Sequence, residues 1–381
     1  MAITIESVPG VATNSVQDNL WHIASSTNSG ETDFKYVFDV WIDGTQKIRV
    51  KQYPEPGTSQ GYFDAGPIVR NSINYNWFDP SIPISQFVPS NAFEISYDVR
   101  YGEEFSGSTT LNLASGTTTA YNWRPDLFKR KIDNPNADYV DKFFTSRRRI
   151  LYMDLDSNKK FFIPSNSVEI FKVIAYTYSA GEVGSYETPM VGLTIWDLIS
   201  TISSATGLNY DYYKIIIYQG GINPYIDEIL IYSKCNPKYE MTPIHFVNRF
   251  GLWETLQFSL VSRLTMEVER KSYERKDYNF IAGEVQYLSG SENNVYQESK
   301  INYQNKMNWS YRMVADALSD EDWQWASQLI SSPQILMEVD GYFYPVTIKN
   351  TNYEYSKYVN NRQRALEVDF EMNQTRYSHL R

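Results

Sequence analysis

Apolar and polar residues alternate along most of this chain with the period of two that belongs to half-buried strands, and two stretches keep a helical period instead. Residues 36–50, YVFDVWIDGTQKIRV, read as two strands turning on Asp43-Gly44, because both central residues of a tight hairpin need positive φ. Residues 91–105, NAFEISYDVRYGEEF, continue the alternation after a Pro-rich connection. Further on, strands are expected at 168–178 (VEIFKVIAYTY), 212–219 (YYKIIIYQ) and 228–234 (EILIYSK). The unbroken apolar run in KIIIY predicts a strand covered on both faces. Residues 259–280, SLVSRLTMEVERKSYERKDYNF, alternate and are strongly charged; QILMEVDGYFYPVTIK reads as a hairpin on Asp340-Gly341, and ALEVDFEM as a strand.

The two helical stretches carry their own start signals. In GLTIWDLISTISSATG, Thr194 stands three before Asp197 as a capping box, Ile195, Leu198, Ile199 and Ile202 share a face, and Gly207 supplies the stop. In SDEDWQWASQLI, Ser319 is the expected N-cap and Asp320, Glu321 and Asp322 lie where the helix dipole favours negative charge. Trp323, Ala326, Leu329 and Ile330 then form the expected buried face. The fold class is therefore mainly β, of β-sandwich-like modules with a small α+β middle module and two isolated helices. Its expected divisions are a sandwich-like domain over 1–120, a basic connecting region over 121–164, the α+β module over 165–262, and a β-meander with one helix over 263–381.

Composition narrows the function. The chain holds 31 Tyr, 19 Phe and 9 Trp in 381 residues, too many aromatic rings for a disordered protein and the composition of pleated surfaces and contact faces. A net charge of −10 argues against a protein that coats nucleic acid. One basic patch stands out against it: residues 124–149 carry eight basic and four acidic side chains, including Lys129, Arg130, Lys131, Arg147, Arg148 and Arg149. Its ordinary reading is a solvated linker or an intersubunit contact, with nucleic acid the minor alternative. A single cysteine, Cys235, excludes internal disulfides. With no basic, apolar leader at the start and no apolar run of membrane length, neither a secretory signal nor a membrane anchor is expected.

Patterns that would carry chemistry fail at the positions that matter. No Gly-rich loop ends in Gly-Lys-Ser/Thr, and SAGEVGS at 179–185 reads as a hairpin turn. His22, His245 and His379 lack the paired spacing of zinc ligands. MDLDSNKKFFIPS places Asp154, Asp156 and Asn158 as in a calcium loop, but Lys159 stands where Gly is needed and Ser165 where Glu is needed. Residues 239–258, YEMTPIHFVNRFGLWETLQF, pose the one open question, because Cys235, His245 and Glu254 are nucleophile, base and acid types close in sequence. The structural reading has Pro243 opening a strand, Asn248 and Gly251 making a turn, and Phe246, Phe250, Trp253 and Phe258 packing it. Neither cofactor nor metal nor catalysis is expected.

The same stretch carries a resemblance. Cys235, Pro237, Tyr239, Pro243, Phe246, Asn248, Gly251 and Trp253, followed by Arg263, Val268, Arg270 and Tyr273, resemble a pattern in virion structural proteins of tailed bacteriophages, especially those infecting Bacteroidetes. FKYVFDVWIDG and GYFDAGPIVRNSI are similar to the N-terminal parts of those proteins, and residues 319–373 resemble sheet modules of phage tail and baseplate proteins. The resemblance implies a structural component of the neck, tail or baseplate. Such a protein is assembled in the host cytoplasm into a homo-oligomeric ring or fibre-bearing assembly with other virion proteins. Trp253, Phe250, Gly251, Asn248, Trp323 and Trp325 are the expected structural or partner-contact residues. The alternatives are a peripheral receptor- or glycan-binding module and, behind it, a polysaccharide hydrolase.

Overall fold

The computed structural model describes residues 3–9, 14–73, 88–89, 94–122, 150–153, 170–189, 194–195, 211–218, 225–233, 241–249, 251, 253–274, 278–287, 300–315, 320–340, 342–349, 366–373 and 376–380. The protein is mainly β, with several sheets and two helices among these residues. It divides into two compact units, one of Met1–Pro237, His245–Thr255 and Gln324–Pro333, the other of Lys238–Ile244, Leu256–Trp323 and Gln334–Arg381.

The N-terminal part is two sheets over one core. Strands β1 (Ile3–Ser7), β3 (Trp21–Ser26) and β6 (Gly61–Asp64) make a three-stranded antiparallel sheet. The second sheet runs β2 (Asn14–Ser15), β10 (Thr118–Tyr121), β8 (Glu94–Phe105), β4 (Lys35–Ile42), β5 (Thr45–Gln52), with β9 (Ser108–Ala114) also on β8. The β4–β5 hairpin turns where expected, with Asp43 at φ 50° and Gly44 at φ 70°. Tyr36, Phe38 and Val40 of β4 and Tyr97, Val99 and Tyr101 of β8 pack in one cluster with Ile3, Ala24 and Phe63 of the smaller sheet. Phe38 and Phe63 stack across it at 5.1 Å. The approach is close enough that a Cβ on Gly61 would lie 2.5 Å from the Tyr36 ring, so only glycine fits there.

The central strand β4 is buried on its other face too. Asp39 is fully buried there and takes a two-pronged ion pair from its cross-strand partner Arg49, at 2.7 Å on each oxygen, which raises the pKa of Arg49 through that bond. Arg100, its partner on β8, lies over the Trp41 ring at 3.7 Å. Helix α1 (Gly66–Asn71) follows β6 and was not expected from the sequence, being one turn and a half opened by Pro67. Asp64 holds its entrance by accepting bonds from the backbone N–H of Leu20 and Gly66.

The middle sheet runs β11 (Ile150–Met153), β16 (Tyr225–Ser233), β15 (Tyr212–Tyr218), β12 (Ile170–Thr177), β13 (Gly181–Pro189), antiparallel except for the β11–β16 pair. The β12–β13 turn is shorter than SAGEVGS, since Gly181 to Ser185 already belong to β13. On strand β15, Tyr213 is buried on one face, and Tyr212, Lys214 and Ile216 on the other are half-buried, Lys214 keeping its ammonium at the surface in an ion pair with Glu228. The side chains of Ile215 and Ile217 lie outside those described. The first expected helix is also corrected at its start. Thr194 and Ile195 form a two-residue strand β14 (Thr194–Ile195) paired with β7 (Val88–Pro89), so these backbone groups bond across the chain rather than cap and enter a helix. The remainder of that expected helix lies outside the described residues.

The last sheet has the order β18 (Trp253–Phe258), β17 (Thr242–Val247), β23 (Ile335–Val339), β24 (Tyr342–Ile348), β25 (Glu367–Met372), β22 (Lys300–Val314), β19 (Ser262–Glu274), and β26 (Arg376–Leu380) also pairs with β22. A separate hairpin joins β20 (Tyr278–Ile281) to β21 (Glu284–Tyr287). Asp340 at φ 52° opens the β23–β24 turn expected on Asp340-Gly341. Helix α2 (Asp320–Ile330) matches the second expected helix, with one change of face. Trp325 is buried with Trp323, Ala326 and Leu329, while Ile330 is half-buried. The expected N-cap, Ser319, lies outside the described residues.

Candidate interaction surface

The stretch that raised the question of catalysis is split by its own pleat. Neighbouring residues of a strand point to opposite faces. On one face Phe246 meets the Trp325 ring at 5.6 Å, and Trp325 Nε1 donates to Glu254. On the other, His245 Nδ1 lies 2.9 Å from Thr255 Oγ1. His245 and Glu254 therefore face away from each other, each buried and each engaged with a neighbour. A base and an acid so placed cannot serve one substrate. Cys235 lies outside the described residues.

The turn after β17 is held by local bonds. Gly251, at φ 80°, bonds back to the Asn248 carbonyl, and the side chains of Ser332 and Gln328 accept from the backbone N–H of Val247 and Arg249. Trp253, Trp323 and Trp325 are buried, so in this chain they hold the fold and leave no ring face for a partner. Phe250 lies outside the described residues, as do Lys129, Arg130, Lys131, Arg147, Arg148 and Arg149.

Exposed apolar side chains gather elsewhere, on the long ribbon of β19 and β22. Thirteen residues of β19 pair with β22, and on one face the register sets Leu264 opposite Tyr311, Met266 opposite Trp309 and Val268 opposite Met307. The reverse face sets Arg263 opposite Arg312, Thr265 opposite Ser310, Glu267 opposite Asn308 and Glu269 opposite Lys306. Over residues 263–269 one face is thus apolar and the other polar. The apolar face continues the interior of the sheet: Tyr311 and Met313 are the register partners of Phe370 and Val368, both fully buried, and Phe258 packs edge-on against Phe370. At the edge it emerges, with Leu264 52% and Met266 48% exposed. The spacing of LTMEV and MNWSY was the available signal, but strand alternation alone does not say which apolar faces find cover.

A second aromatic surface sits on the middle sheet. Tyr176, Tyr212 and Tyr232 are register partners on three adjacent strands and their rings stack at 4.8 and 5.2 Å. Tyr178, 74% exposed, leans on Tyr212 at 5.7 Å.

Buried polar groups of the N-terminal part are occupied in the same way as His245. His22 Nδ1 lies 2.6 Å from the Tyr101 hydroxyl and Nε2 3.4 Å from that of Tyr97, across the two sheets. Burial pushes the imidazole down to about 4, so at neutral pH it is uncharged. Among the described residues no three His, Cys, Asp or Glu side chains gather as a metal site, and no helix is long and apolar enough to cross a membrane. No protein-family model matches the chain, and no curated protein matches it.

Proposed function

We propose that this protein is a structural component of a tailed-phage particle, in its neck, tail or baseplate, that works through protein–protein contacts and carries out no reaction. The observation that carries the reading is the apolar face of β19–β22, which runs from buried Phe370 to exposed Leu264 and Met266 on a sheet edge. An apolar strip of that kind on a free edge is an interaction site, and left uncovered it is a liability that soluble proteins ordinarily avoid. The pattern from Cys235 to Tyr273, similar to that of phage virion proteins, supports the particle as the place where it is covered. The acid and base types near residue 250 are taken up by internal bonds, which supports a role without catalysis. Mass spectrometry and antibody labelling of purified particles test it: the protein should be present at a fixed stoichiometry in one part of the particle. Its absence from particles would end this reading.

A second reading, a peripheral receptor- or glycan-binding module, is favoured by the tyrosine stack on the middle sheet and by exposed Tyr178. Tyr178→Ala should then weaken binding to host cells or surface polysaccharide; unchanged binding, or none by the parent protein, removes it.

A further inference from the structure

We infer that β19 is a self-recognition edge, through which two copies of this chain pair antiparallel about a twofold axis at Met266, joining their sheets. This deepens the assembly reading above and rests on it, naming the partner as a second copy and the site as residues 262–270. Among the described residues the strand is the outer edge of its sheet, and its side chains are exposed along nearly its whole length. An edge of that kind offers backbone donors and acceptors in the order another strand needs.

The side chains say which strand. In an antiparallel pair about a twofold axis, a residue and its partner have positions summing to a constant, and a centre at Met266 makes that sum 532. Met266 then faces Met266 of the second copy, and Leu264 faces Val268 of the second copy, twice by symmetry. On the other face Arg263 meets Glu269 of the second copy, also twice, and Thr265 meets Glu267 of the second copy. Arg263 needs such a partner: its neighbour within the chain is another cation, Arg312, whose own carboxylates are Asp369 and Glu367. Like charges directly opposite destabilise a strand pair, and a carboxylate on the open side relieves this.

Neighbouring registers fit less well. Centring on residue 267 sets Glu267 against itself and Arg263 against Lys271, and centring on Val268 sets Glu267 against Glu269. Centring on Thr265 keeps an Arg–Glu pair but leaves Val268 opposite Ser262. The Met266 register alone among these matches all three apolar residues and pairs Arg263 with a carboxylate.

Cysteine cross-linking of the full chain, in a Cys235→Ser background, tests the geometry. Opposed Cα atoms of antiparallel strands lie about 4.5–5.5 Å apart, within disulfide reach. Met266→Cys should form a covalent dimer under mild oxidation. Leu264→Cys alone should not, since the two copies of position 264 are separated by about 13 Å along the strand, but mixed with Val268→Cys it should. Arg263→Glu, which faces Arg312 within its own chain and so leaves folding intact, should raise the dimer dissociation constant about tenfold or more. Glu269 faces Lys306 within its own chain, so the reversal that restores dimers is Arg263→Glu with Glu269→Arg and Lys306→Glu. Cross-linking through Thr265→Cys in place of Met266→Cys, or failure of that reversal to restore dimers, overturns the register. A chain that stays monomeric in solution yet is found in purified particles overturns self-pairing and leaves the particle reading intact. A dimer that never enters particles does the reverse.

Discussion

The N-terminal sandwich and the β19–β22 ribbon are written in the same alternation and end in opposite states. In the sandwich, the apolar faces of β4 and β8 meet a second sheet from the same chain, and Phe38 stacks on Phe63 in a closed core. In the ribbon, Leu264, Met266 and Val268 line up with Met307, Trp309 and Tyr311 on one face, and Leu264 and Met266 stay half open to solvent. An apolar face is only half of an interaction. Where the chain brings the other half, the face becomes core; where it does not, the face becomes a contact surface.

Mutations should separate the two states by size of effect. Phe38→Ala is expected to cost about 3–5 kcal/mol of stability in chemical denaturation, since a large ring is removed from a closed core. Trp253→Ala, in the buried turn region, belongs to the same class. An effect below about 1 kcal/mol at Phe38 would mean that the sandwich is not closed as described.

Acid should loosen the sandwich next. The unfolded chain takes a proton on His22 below its ordinary value of 6.5, whereas the folded imidazole resists it down to about 4. The contribution of the neutral, buried ring is therefore fully present above pH 6.5 and is lost as the pH falls from 6.5 to 4. The loss should come to about 3 kcal/mol, read as the difference in urea midpoints between the parent protein and His22→Gln. Parallel pH profiles for the two proteins would refute the role given to His22.

Smaller still is the expected cost of Trp325→Phe, about 1–3 kcal/mol, because it removes the indole donor from buried Glu254 while keeping most of the ring's volume. Recovery in the double variant Trp325→Phe with Glu254→Gln checks that the carboxylate is the cause. Smallest is the ribbon itself. Leu264→Ser and Met266→Ser should change monomer stability by less than about 0.5 kcal/mol and reduce self-association, as measured by denaturation and sedimentation. A core-sized loss of stability there would show that the ribbon's apolar face is already covered within the chain.

Local physics made much of the fold legible. Asp43-Gly44 and Asp340 turn hairpins because their positive φ is a local demand, and Asp320 to Ile330 is a helix because its charge and apolar periods agree over three turns. Helix α1 escaped because six residues are too few to show a period. Thr194 and Ile195 escaped because a strand partner remote in sequence, Val88–Pro89, competes with the local capping signal. Trp325 is absent from the helical face that spacing predicts and is buried with its indole N–H donating to Glu254, a bond no spacing rule contains.

The sequence by itself determined that this is a mainly β protein, where several of its strands turn, and that its chemistry-bearing motifs are incomplete, because turn conformation, pleat period and ligand spacing are properties of neighbouring residues. Tertiary structure alone decided that His245 and Glu254 point apart, that Trp253, Trp323 and Trp325, expected as structural or partner-contact residues, are core, and that among the described residues LTMEV lies on a sheet edge. Burial is a property of what comes to lie opposite a face, and the residues that do so are remote along the chain.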